Sequence, residues 1–269
     1  MSALEACWVL LAGVGAGTIN SIVGSGTLIT FPTLLLLGYP PLTANVSNNI
    51  GLVAGGASAS WGYRRELAGQ RALLTRLLPM SIAGSMLGAA LLLVLPAAAF
   101  RAVVPVLIVI ALVLVILGPR NQRVARARQA QPDSQAAVPR DRLAGPPDSA
   151  TSGWLPAGAV LAGAYGGYFG AAQGVLLMGI FSALSREPLQ RLNGLKNVLV
   201  TCVNLVAAGA FLIFAREHVD WVVVALIAVG SLLGGLLGAH LGRRLPAPVL
   251  RAVIVVVGVV AIVKMVWFP

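Results

Sequence analysis

Apolar residues dominate the chain in long runs, and polar residues gather in the breaks between them. Leu77 to Leu95, Val103 to Leu117, Trp221 to Leu241 and Val249 to Trp267 approach or exceed the roughly 20 residues that cross a bilayer. Shorter runs are interrupted by Gly and Pro. The pattern predicts helical segments at about Cys7–Val23, Thr27–Leu37, Asn45–Tyr63, Ala72–Leu95 and Phe100–Leu117. A second set follows at about Trp154–Phe169, Gly174–Ser185, Asn193–Phe214, Val219–Leu241 and Val249–Phe268. Between the sets, Pro119 to Ser152 is rich in Arg, Gln, Ala, Pro, Asp and Ser and has no apolar periodicity, which reads as a flexible linker.

The two sets repeat one another. Gly26 to Asn49 returns as Gly174 to Asn197, with Leu28/Leu176, Pro40/Pro188, Asn45/Asn193 and Asn49/Asn197 coinciding. GSMLGAAL from Gly84 returns as GSLLGGLL from Gly230, and PAAAFRAV from Pro96 as PAPVLRAV from Pro246. The duplication therefore covers whole halves, 1–118 and 153–269, on either side of the linker 119–152. An apolar chain repeated in this way points to a transporter whose site lies where its halves meet.

Composition narrows the class. With 58% hydrophobic and 10% charged residues over 269 positions, the surface cannot be solvated as a soluble protein's is, so the expectation is an all-α integral membrane protein. A net charge of +11 would suggest nucleic acid in a soluble chain, but the basic residues sit between apolar runs without interleaved aromatics, so nucleic acid is excluded as a partner. Read as topology signals, Arg120, Arg123, Arg126, Arg128, Arg140 and Arg142 place the linker in the cytoplasm. Threading outward puts Arg64, Arg65, Arg71, Arg186, Arg191, Arg243 and Arg244 inside and both termini outside. Five segments per half is an odd number, so the halves enter the membrane from opposite sides as inverted repeats. The second segment of each half is too short to span comfortably and suits a re-entrant hairpin. Met1 to Leu10 carries Glu5 but no Lys or Arg, so it lacks the basic start of a signal peptide.

Each half carries the same polar sequence of events: a Gly-rich break, a short apolar helix, a Pro turn and an Asn-rich entry to the next helix. Gly24-Ser-Gly-Thr27 and Gly170-Ala-Ala-Gln-Gly174 are the breaks, and helix N-termini exposed there would offer N–H groups to an anion. Asn45 and Asn49, like Asn193 and Asn197, are four apart and share a helix face. Two such faces brought together would set four carboxamides around one point, although Asn45 and Asn193 also suit the role of N-cap. Lys196, aligned with Asn48, needs either a partner, an anionic ligand or a route to the surface for its ammonium. Asn20, Ser25, Gly26, Thr27, Asn48, Gln173 and Gly174 complete the candidate substrate-binding set. The eight acids fall in loops or near segment ends, so no intramembrane carboxylate names a proton carrier, and the coupling ion, proton or sodium, stays open. Cys7 and Cys202 form no metal or disulfide pattern, no cofactor motif occurs, and no nucleophile–base pair argues for an enzyme.

On these residues, above all GSGTLITFPTLLLLGYPPLTAN from Gly24 to Asn45 and its degenerate echo, the chain resembles the TauE/SafE family of membrane permeases. The resemblance covers nearly everything outside the linker. It implies secondary transport of small sulfur-containing anions such as sulfite, sulfoacetate or other organosulfonates, in a bacterial-type inner membrane and as a single chain or an oligomer. Gly179-Ile180 in place of Phe31-Pro32, and the thinner glycine run at Gly170, depart from the pattern. A passive anion channel with the same polar waist, or a carrier of an unrelated small anion, is the alternative.

Overall fold

The computed structural model describes residues 1–130, 153–185, 187–241 and 247–267. The described residues form α1 (Ala3–Ile22), α2 (Thr27–Leu36), α3 (Pro41–Gly62), α4 (Arg71–Val94), α5 (Ala97–Ala130), α6 (Leu155–Tyr168), α7 (Gln173–Leu184), α8 (Leu189–Phe214), α9 (Trp221–Leu241) and α10 (Ala247–Trp267). A 3-10 turn, Arg216–His218, precedes α9. Each predicted segment is one of these helices. Pro119 to Ala130, read from sequence as linker, instead continues α5: Arg, Gln and Ala are strong helix formers, and an apolar helix already under way propagates through them. The rest of the expected linker, with Arg140 and Arg142, lies outside the described residues, as do Arg186, Arg243 and Arg244 of the topology reading.

Local chemistry sets the helix ends. Ser2 and Glu5 open α1 with a capping box, the Ser2 Oγ accepting from the Glu5 N–H at 3.2 Å and the Glu5 carboxylate from the Ser2 N–H at 2.7 Å. α1 stops where Gly24 turns left-handed (φ +87°), its N–H and that of Val23 both reaching the Ile19 carbonyl. α6 stops in the same way at Gly170 (φ +77°), with Phe169 and Gly170 both bonded to the Tyr165 carbonyl. α3 and α8 start one residue after the matched prolines. Pro40 and Pro188 share the same backbone angles, φ −57° and ψ 139°, so the N-caps are prolines and Asn45 and Asn193 lie a full turn inside their helices. The N-cap role considered for those two asparagines is therefore excluded.

α1, α4, α5 over Ala97–Gly118, α8 and α9 are long and apolar enough to cross a membrane, whereas α2 and α7, of 10 and 12 residues, are not. The distribution of side chains fits a lipid environment. Leu87, Leu91, Val106, Ile213 and Val256 face outward, while Asn, Ser, Gln and Lys side chains are buried within.

Contacts between helices pair across the repeat. α1 packs along α9 as α6 packs along α4; α2 meets α10 as α7 meets α5; α3 leans on α9 as α8 leans on α4. The packing units therefore exchange elements between the sequence halves. One bundle holds α1, α2, α3, α9 and α10, the other α4 to α8, and α3 against α8 and α5 against α10 join them. The closest seams are lined by glycine: a Cβ on Gly234 would strike the Val14 backbone of α1, and one on Gly88 the Ala164 backbone of α6. Ser85 of α4 donates to the Val203 carbonyl of α8 at 2.8 Å, and Ser231 of α9 to the Gly51 carbonyl of α3 at 3.1 Å. The repeated Gly-Ser pairs of the sequence are thus corresponding contacts in the two bundles.

Candidate functional site

The two glycine breaks touch. The Gly174 N–H, in the first turn of α7, donates to the Gly24 carbonyl at 3.0 Å, and a Cβ on either glycine would collide with the backbone of the other. Only residues without side chains permit this approach. α2 and α7 consequently begin near the same place, one from each bundle, with their positive ends at the contact. The Lys196 chain lies against both glycines, its Cδ within 3.2 Å of a Cβ built on Gly24 and 3.0 Å of one on Gly174.

Lys196 is completely buried, which rules out the surface-reaching alternative for its ammonium. Its Nζ donates to the backbone carbonyls of Asn20 at 3.0 Å and Ser21 at 3.3 Å, at the C-terminal end of α1. No Asp or Glu is buried among the described residues, so these carbonyl dipoles and the negative end of α1 stabilise the charge. Asn193 and Asn197 converge on the same end, each Nδ2 donating to the Ser21 carbonyl at 3.3 Å. In the other half, Asn45 Nδ2 donates to the Tyr168 carbonyl, at the end of α6, at 3.1 Å. These contacts all cross from one bundle to the other.

Three of the four carboxamides therefore spend a donor on helix ends. Asn193 and Asn197 close the end of α1, and Asn45 closes the end of α6. A helix terminus leaves four carbonyls without intrahelical partners, and in a dry interior those carbonyls take the Asn donors that the sequence offered to an anion. Asn48, aligned with Lys196, turns inward to the adjacent short helix. Its Nδ2 donates to Thr27 Oγ1 at 3.3 Å, and its Oδ1 accepts a short hydrogen bond from the Thr30 hydroxyl. Asn20 Oδ1 accepts from the Gly26 N–H at 3.5 Å, steadying the break ahead of α2.

Beside these satisfied groups is a set of buried side-chain atoms with no hydrogen-bond partner among the described residues. Ser25 Oγ and both amide atoms of Gln173 belong to the breaks, Ser21 Oγ to the end of α1, Asn45 Oδ1, Asn49 Oδ1 and Asn193 Oδ1 to α3 and α8, and the Tyr165 and Ser182 hydroxyls to α6 and α7. Gln173 is 1% exposed and its amide packs against Gly166 of α6. A dry, unpartnered carboxamide costs about 1–3 kcal/mol.

Sequence reasoning missed Thr30 and the backbone carbonyls of Ser21 and Tyr168. Thr30 is one turn beyond Thr27, and a second hydroxyl at that spacing in an apolar helix was the available signal. The Ser21 and Tyr168 backbone carbonyls carried no signal, because any residue supplies the same oxygen.

The family described as "Sulfite exporter TauE/SafE" matches residues 9–265. A probable membrane transporter protein, ORF9, of Sinorhizobium sp. is 28% identical over 97% of this chain and 92% of its own length. The probable membrane transporter protein YfcA of Escherichia coli K12 is 27% identical over 94% and 86%. A probable membrane transporter protein of Haemophilus influenzae is 26% identical over 95% and 92%. No solved structure matches the chain. With a helical bundle whose outward faces are apolar and whose polar side chains are buried, and a family match spanning both halves, the chain belongs to the TauE/SafE family of membrane transporters.

Proposed function

We propose that the protein is a secondary transporter of small sulfur-containing anions, of the sulfite or organosulfonate class, working by alternating access in the bacterial inner membrane. The observation that carries this reading is Lys196: a fully buried ammonium without a buried acid, lying against the contact of two broken helices. A pyramidal or tetrahedral oxyanion presents several acceptor oxygens around a compact charge. Ser25 and Thr27 at the start of α2 and Gln173 at the start of α7 would supply donors from two sides, and Lys196 the opposite charge, while Gly26 and Gly174, whose N–H groups are taken by Asn20 Oδ1 and the Gly24 carbonyl, would shape the contact between them. The unpartnered Ser25 hydroxyl and Gln173 amide support that assignment. Asn49, whose Oδ1 is also unpartnered, would line the same waist, while Asn45, Asn193 and Asn197 would fix the helix ends that frame it.

The repeat supplies the mechanism. Inverted halves have two equivalent but opposite packings, and rocking one bundle against the other exchanges them. The Asn45, Asn193, Lys196 and Asn197 contacts join the bundles and would be remade in that exchange.

The test is anion flux into liposomes containing the purified protein, with sulfite, sulfoacetate, taurine and sulfate compared. Saturable sulfite or sulfoacetate uptake, accelerated by the same anion on the opposite side, is expected. Ser25→Ala and Gln173→Ala should lower apparent affinity tenfold or more at unchanged folding, and Lys196→Met should abolish flux. Non-saturating flux without trans-acceleration would identify a channel instead. Saturable transport of sulfate alone would overturn the substrate class.

A further inference from the structure

The end of α1 is a ready-made cation site, and it is already filled. Val23 and Gly24 satisfy the Ile19 carbonyl, which leaves the next two carbonyls, of Asn20 and Ser21, turned into the protein interior at the negative end of a helix of 20 residues. In transporters with interrupted helices, such C-terminal carbonyls are general ligands for a coupling sodium ion or proton. Here the Lys196 Nζ takes both, at 3.0 and 3.3 Å. Beside it, Asn193 binds the same Ser21 carbonyl through Nδ2 and keeps a buried Oδ1 with no partner among the described residues. Backbone carbonyl and carboxamide oxygens are hard, neutral ligands of the kind that a sodium ion accepts.

We propose that the Lys196 ammonium is a tethered substitute for a coupling sodium ion, held at the end of α1 by the Asn20 and Ser21 carbonyls. The wild-type protein then needs no free alkali cation to keep α1, α8 and the Gly24–Gly174 contact in register. Without the ammonium, the Asn20 carbonyl loses that donor, the Ser21 carbonyl keeps only the Asn193 and Asn197 amides, and a sodium ion enters at the negatively polarised end of α1. The asymmetry of the repeat has a purpose on this view: Asn48, at the position aligned with Lys196, is committed to Thr27 and Thr30, so only one half carries a built-in cation. The transport consequence rests on the carrier reading above, whereas the cation site itself does not.

Two measurements separate these. The first is the melting temperature of detergent-purified protein in sodium, potassium or choline chloride at equal ionic strength. The wild type should melt at the same temperature in all three. Lys196→Ala should melt lower in choline and recover saturably as sodium replaces choline, as ligand linkage requires; Lys196→Arg should remain indifferent. The second is anion flux by the wild type with choline in place of sodium, which should be unchanged. A wild-type melting temperature raised by sodium over choline would overturn the proposal, as would a Lys196→Ala protein that ignores sodium. Should Lys196→Ala fail to fold, Lys196→Gln in the same salts and the wild-type comparison decide. Absence of flux for every sulfur anion would remove the substrate reading and leave the melting result standing.

Discussion

Ala172 is the only residue other than glycine with a positive φ among the described residues, at 59°, immediately before α7. For an L-residue that conformation costs about 1–2 kcal/mol, and Ala172 is also fully buried, where losing a methyl forfeits roughly 0.8 kcal/mol. The two effects nearly cancel, so Ala172→Gly should leave the melting temperature of the detergent-purified protein within a few degrees of wild type. Ala172→Val, β-branched in a left-handed conformation, should not yield a monodisperse protein on gel filtration. A valine variant as stable as wild type would mean that the break relaxes to another backbone path. Individual polar residues were only partly legible in the sequence. Asn45, Asn193, Asn197 and Lys196 stood out because a polar group in an apolar run demands a partner. What that partner is depends on which carbonyl the tertiary structure leaves open, and no residue type encodes it.

At the scale of elements, helix spacing is set by glycines whose neighbours lie on another helix. Gly88 of α4 faces the Ala164 backbone of α6, and Gly234 of α9 faces the Val14 backbone of α1. Even alanine at either site requires the helices to separate, at about 1–3 kcal/mol for an overpacked interior. Gly88→Ala and Gly234→Ala should both lower the thermal midpoint in detergent, by similar amounts because the seams correspond. Gly209 of α8 and Gly179 of α7 have no atom near an added Cβ, so alanine there should be neutral or raise the midpoint through helix propensity. Equal effects at all four positions would remove close packing as the explanation. The ten α-helices of the described residues were legible because apolar length and Pro or Gly breaks are local properties of the chain. Their partners were not: GSMLGAAL and GSLLGGLL announce two seams, but neither states that α4 takes α6 and α9 takes α1. The extension of α5 to Ala130 was missed because it depends on propensity alone, without an apolar face to reveal it.

At the scale of the whole molecule, the two bundles meet where α3 crosses α8, and Ser60 Oγ lies 3.2 Å from Thr201 Oγ1 there. The two side chains are thus in direct contact, which makes the pair a place to test cross-linking by cysteines. In a background with Cys7 and Cys202 replaced by serine, Ser60→Cys with Thr201→Cys should transport when reduced, stop when oxidised and recover with reductant. Continued flux by the fully cross-linked protein would exclude relative movement of α3 and α8 during transport.

The exchanged membership of the bundles also dictates an order of assembly. α4 to α8 are consecutive, so their bundle has all its parts as soon as α8 leaves the ribosome. α1, α2 and α3 are made first, yet the partner for the glycine face of α1 is α9, made almost last. The earliest helices must wait in the bilayer, with Gly13 and Gly17 uncovered, while the middle of the protein assembles beside them. A nascent chain arrested before Trp221 would hold one finished bundle, with α3 able to lie against α8 but α1 still without the helix its glycine face is shaped for.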